Sequence, residues 1–276
     1  MILAHGDPSR SPLTPHLHPD VVIVVAVVAL GYWLALRYVG PRNLPAGEPA
    51  CTRRQATLLT IAIGTLWVFS DWPVHDLSEG YLYSVHMVQH AVYTLVLPPL
   101  FILGTPAWLW RWLLGPVLPV FRQLVRPAVA VIVFSTVTVL THLPVLVTAA
   151  VRSTPAHIVQ HTALVLTATA VWWPLTSPLP ELRRLSEPVH QIFYLFAMSL
   201  VPSMAGSFLI WAQAVPYRVY EEQPRLWGIG ALEDQQWAGA IMEVVEGGVL
   251  FGFMLVVVLR LFRQDLRASW PALEPR

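Results

Sequence analysis

Seven stretches of this chain stay apolar for about the 20 residues that a helix needs to cross a bilayer: 21–38, 56–72, 81–103, 127–151, 156–174, 189–212 and 235–262. Between them polarity returns together with helix breakers, Gly40, Pro41, Pro45 and Gly47 after the first stretch and Pro178, Pro180 and Pro188 after the fifth. The pattern predicts an all-α fold, a single integral membrane domain over 1–276 with seven transmembrane helices. Two of the stretches carry the same polar insertion, HMVQH at 86–90 and HIVQH at 157–161. A spacing of four residues sets both rings of each pair on one helix face, so two helices can offer four imidazoles to each other. Ionisable side chains are costly inside a bilayer and mark function by default.

Composition agrees with the pattern and narrows the chemistry. Hydrophobic residues make up 55% and charged residues 12% of the chain, against roughly 25% charged in soluble domains, and the mean hydropathy is +0.58. The net charge of +1 comes from scattered residues without a basic block, which excludes nucleic acid as a partner and leaves the lipid bilayer. All 17 basic residues are arginine, so lysine Schiff-base chemistry is excluded. The one cysteine, Cys51, can form neither an internal disulfide nor a CxxC clamp. Residues 1–20 lack the basic start of a secretory signal, and the apolar run behind them reads as a retained first span.

Arginine bias sets the orientation. Arg10, Arg152, Arg218 and Arg225 fall on one side, and the remaining 13 of the 17 arginines, from Arg37 to Arg276, fall on the other. The positive-inside rule makes the richer side cytoplasmic, with the N-terminus outside and the C-terminus inside. Under that topology His86, His90, His157 and His161 lie in the outer leaflet. His142 near the end of the fourth span, His75 after the second, and Asp234, Met242, Glu243 and Glu246 in the last span reach the same layer. Paired HxxxH sequences on facing helices are a metal-chelating pattern, and interhelical hydrogen bonding is the alternative use of such groups. Gln89 and Gln160 hold equivalent places in the two motifs, either orienting the rings or bonding across helices. Imidazole suits copper, zinc, iron and nickel alike. Met242 would add a soft donor or simply fill an apolar gap, while Glu243 and Glu246 need partners wherever they sit in a span. One histidine from each helix could also hold a haem axially. HExxH, GxSxG, P-loop and GxGxxG signatures are absent from the sequence, which reads as a non-enzyme.

His86, Met87, Gln89 and His90, then Pro98, Pro99, Leu100, Leu103, Gly104 and Pro106, and finally Asp234, Gln235, Gln236, Ala238, Gly239 and Met242, carry a resemblance. With the seven-span plan, the chain resembles the CtaG family of membrane proteins associated with cytochrome c oxidase assembly. Where that pattern has Trp after the methionine and then Pro-Gly, this chain has Glu243 and Glu246-Gly247. The resemblance implies an assembly factor of the bacterial inner membrane that handles copper for a haem-copper oxidase, with oxidase subunits or another copper protein as partners. With the repeat and the topology, the expected copper ligands are His86, His90, His157 and His161, with His142, His75, Met242, Glu243 and Glu246 as auxiliaries. A membrane haem or metal oxidoreductase using the same histidines, with zinc or haem in place of copper, is the second reading. A structural bundle that merely packs a polar layer is the third.

Overall fold

Prolines set most of the helix boundaries. The computed structural model describes residues 14–15, 18–44, 47–182 and 185–269, with side chains described as far as 264. Residues 1–13, which carry most of the segment read as lacking a signal, lie outside that range, as do Arg10, Arg183, Arg184, Arg276 and the side chain of Arg267 from the orientation count. Among the described residues the chain is helical, with no strand. Five helices are long and apolar enough to cross a membrane, or up to seven if each of two bent pairs is one span.

Helix α1, Pro19–Asn43, and α4, Tyr83–Gly104, each contain one π-turn, Ala35–Val39 and Val92–Val96. Both turns precede proline, at Pro41 and at Pro98-Pro99. A proline has no N–H to give the preceding turn, and a wider i→i+5 turn relieves the clash without ending the helix. Helix α2, Arg53–Ser70, opens with a capping box in which Thr52 Oγ1 accepts from Gln55 N and Gln55 Oε1 accepts from Thr52 N. It stops before Pro73, and α3, Val74–Gly80, leaves at 43°.

The fourth expected span, 127–151, is not one helix. Helix α6, Pro127–Thr141, ends at His142, and α7, Pro144–Arg152, begins afresh. Pro144 is the cause, since a residue before proline is pushed out of the helical region, and Leu143 is extended at φ −68, ψ 135. Tyr217 Oη donates to the carbonyl of His142 at 2.9 Å, satisfying a group the break sets free. On its other side α6 follows α5, Ala107–Leu124, at a 90° bend. Helices α8, Thr154–Thr176, α9, Pro188–Ile210, and α10, Ala231–Gln264, complete the bundle.

Helix α4 is the hub, packing against α2, α3, α8 and α10. Of its apolar window 61% is buried, against 17% for α1 and for α10, so α4 is the interior helix and the other two face outward. One apolar cluster, containing Ile102, Phe134, Trp172, Trp173, Leu195 and Met198, fills the half of the bundle near α5. A second, with Tyr83, Met87, Val147, Leu209, Tyr217, Tyr220 and Met242, fills the opposite end. Where α9 meets α10, a Cβ on Gly239 would lie 2.5 Å from the carbonyl oxygen of Gly206. Only a hydrogen fits there, and this close crossing seats the start of α10 against α4.

Candidate metal centre

The DQQ sequence at the start of α10 places the histidine helix. Asp234, fully buried, accepts from Tyr83 N at 2.7 Å, Ser84 N at 3.1 Å and Ser84 Oγ at 2.6 Å. It thereby caps α4 from another helix and satisfies N–H groups left free at a helix start. Gln235 accepts from Tyr217 N and donates to Tyr217 O, both at 3.0 Å, fastening the loop that crosses above the histidines.

Below that cap the histidines converge. The ring pairs lie close within each helix, His86 with His90 at 4.4 Å and His157 with His161 at 4.1 Å between centroids. Across the helices His86 and His161 are 5.2 Å apart and His90 and His161 are 4.8 Å apart. His90 Nε2 comes within 3.3 Å of His161 Nε2. The four imidazoles expected from the repeat therefore share one enclosure. His142 stands beside it at the α6 break, its ring 5.8 Å from His90, without lining the cavity. Its Nδ1 lies 2.7 Å from the carbonyl of Thr138, which can only accept, so Nδ1 carries the proton and Nε2 offers a lone pair. That Nε2 is buried without a hydrogen-bond partner among the described residues.

Glu79 is the donor that the sequence reading missed. Its carboxylate, 3% exposed on α3, meets His157 Nδ1 at 2.8 Å through Oε2 and His86 Nδ1 at 3.3 Å through Oε1. The second contact is close enough for an ion pair but too poorly aligned for a hydrogen bond, leaving Oε1 and His86 Nδ1 without one. Two groups of three donors result, His86, His90 and His161, and Glu79, His157 and His161, each with its ligand atoms within 4.8 Å of one another. Buried donors left unbonded are expensive, and here they face one another as metal ligands do. The cavity they enclose with Tyr83, Gln160 and Tyr220 is about 20 Å³, room for one ion or water.

The other expected ligands lie elsewhere. His75 stands one ring further out, 6.4 Å from His157, and lines a groove beside the cavity that His157 and His161 also line. Met242 packs in the apolar cluster with Met87 and Tyr83. Glu243 takes a hydrogen bond from Ser207 of α9, and Glu246 is buried in the π-turn Met242–Glu246 of α10. None of these three lines the histidine cavity. The glutamines bond across helices: Gln89 donates to Phe69 O at 2.5 Å and accepts from Ser78 Oγ, and Gln160 donates to Leu146 O at 3.0 Å.

At the mouth of this region His18 bridges two carboxylates, Nδ1 to Asp71 at 2.9 Å and Nε2 to Asp76 at 3.2 Å, with the His75 ring 4.9 Å away. The Asp76 hydrogen bond, helped by Asp71, raises its pKa from 6.5 to about 9 against the opposing effect of burial. A pKa raised on folding means this clasp contributes fully below pH 6.5 and is lost as pH rises through about 9. Hydrogen exchange in the first turns of α1 should therefore accelerate between pH 7 and 10 beyond the intrinsic rate, and His18→Ala should remove that excess. An equal excess in the variant would show that the clasp does not hold α1.

A family model described as cytochrome c oxidase caa3 assembly factor matches residues 22–264, which is 243 of the 276 residues. No curated protein and no solved structure matches the chain.

Proposed function

This chain belongs to the cytochrome c oxidase caa3 assembly factor family, and we propose that it serves oxidase assembly by holding copper in the histidine enclosure and passing it on. The recipient in this reading is an oxidase subunit or another copper protein. One observation carries it: two sets of three donors, mostly imidazole, converge on a cavity of ion size, with Glu79 Oε1 and His86 Nδ1 buried there without a hydrogen bond among the described residues. Imidazole sets suit copper, and zinc shares that preference. The haem reading has less support, because about 20 Å³ leaves no room for a macrocycle between α4 and α8.

The family gives the context of oxidase assembly, and in this reading copper is cargo. Asp234 and Gln235 hold α4 and the Tyr217 loop in place, Glu79 keeps His86 and His157 turned toward each other, and Thr138 fixes the His142 tautomer. In this reading the chain crosses a bacterial inner membrane seven times with this end outside, an orientation that the arginines favour. Among the described arginine side chains, Arg37, Arg42, Arg53, Arg54, Arg111, Arg122, Arg126, Arg260 and Arg263 lie toward the opposite end, and Arg152, Arg218 and Arg225 lie toward the histidines. Copper would then arrive from the periplasmic side.

In cells whose only copy carries His161→Ala, the copper content and activity of the caa3-type oxidase should fall to the level of cells lacking the protein. Undiminished oxidase copper, with the variant present at normal abundance, would contradict the proposal.

A further inference from the structure

We infer that the enclosure is two alternative stations for one metal ion, an outer one of Glu79, His157 and His161 and an inner one of His86, His90 and His161, with His161 common to both. This rests on the metal-binding reading above. Each set has its ligand atoms within 4.8 Å of one another, and no larger group is found among the described residues. A first-row ion with bonds near 2.0 Å separates tetrahedral ligands by about 3.3 Å, so small side-chain rotations close either set. Closing both at once would ask His161 to serve two ions, which requires the imidazole to lose its second proton. A single ion avoids that step, keeping His161 while its other ligands exchange.

Access gives the two stations their order. A groove of about 600 Å³ runs beside α1, walled by Val21, Val24, Val28, Leu66 and Val165. His75, His157 and His161 line it, whereas Glu79, His86 and His90 do not. The enclosed cavity touches Glu79, His86, His90, His157 and His161. His157 and His161 thus face both spaces, and Glu79, His86 and His90 face only the inner one, so His157 is what brings the outer station to the groove. The ring-to-ring spacings continue this order, His75 to His157 at 6.4 Å before the outer station and His90 to His142 at 5.8 Å beyond the inner one.

Donor chemistry supplies a direction. The outer station includes a carboxylate, a ligand that suits hard ions, and the inner one is all imidazole, which copper prefers. Glu79 is the wall between them, one oxygen on His157 and the other facing His86. An ion moving inward gives up Glu79 and His157 for His86 and His90, and the carboxylate stays with His157 Nδ1 as its partner.

Two alternative stations predict redundancy in a double-mutant cycle. Cu(II) affinity is measured by chelator competition on the full chain in detergent, with electron paramagnetic resonance reporting the ligands. Because the affinities of alternative stations add, His157→Ala, which leaves the preferred inner set, should weaken binding by less than about twofold and His90→Ala by about tenfold, while the double variant should lose at least about 1,000-fold. His161→Ala and His161→Asn should each match the double variant. The spectrum of His90→Ala should show an oxygen in place of a nitrogen ligand. A His90→Ala loss equal to that of the double variant, or single losses that multiply to the double loss, would mean one site and overturn the two stations while leaving copper binding intact. Absence of Cu(II) and Cu(I) binding by the unsubstituted chain would overturn both readings. Thermal midpoints of all variants identify any that lose metal through unfolding, and the His161 pair supplies a second route to the same answer.

Discussion

Asp234→Ala should cost the protein about 3–5 kcal/mol of stability, one of the two largest effects expected of any substitution in it. Its carboxylate is fully buried and takes three hydrogen bonds, two from backbone N–H groups of the first turn of α4 and one from Ser84 Oγ. Hydrogen bonds to charged groups contribute about 1.5–3 kcal/mol each, and the orphaned N–H groups have no water to turn to. Alanine leaves all three donors empty, whereas Asp234→Asn keeps one acceptor and points an N–H₂ at the rest. The asparagine variant should therefore fall between alanine and the unsubstituted chain. For a chain of this size the alanine variant should melt roughly 6–20 °C lower in detergent. Copper affinity should drop with it, because His86 lies in the turn that Asp234 caps. A melting midpoint within a degree or two of the unsubstituted protein would show that the cap is not what seats α4.

The HxxQH repeat was legible because helix geometry is local: i and i+4 share a face whatever surrounds them. All four of its histidines line one cavity, and His142 stands beside it at the end of a third helix. Glu79 was not legible in the same way. It stands between two apolar stretches, in a segment with no helical period to read, and enters the site only because the break at Pro73 folds α3 back onto α4. The break at His142 had a visible signal in Pro144, whose effect on Leu143 divides the stretch 127–151 in two. A hydropathy window averages over such a residue. Burial in a span says that a polar group needs a partner but not which one. Glu243 finds Ser207 and Gln89 finds Phe69, both residues far along the chain. The DQQ block shows the converse case, a sequence signature whose first two members hold helices and a loop in place around the histidines.

The second large effect concerns the metal itself. His161 belongs to both donor sets and His90 lies 3.3 Å from it, so removing the two rings leaves no complete set of three donors. The stability cost should be modest, because neither ring is the sole partner of a buried backbone group, and the metal loss should be at least about 1,000-fold, as for His161→Ala alone. Copper titration of the purified full-length chain, with Cu(I) and Cu(II) taken separately and set beside His90→Ala/His161→Ala, tests the central claim most directly. The account predicts one copper per unsubstituted chain and no stoichiometric binding by a folded double variant; equal binding by the two would contradict it.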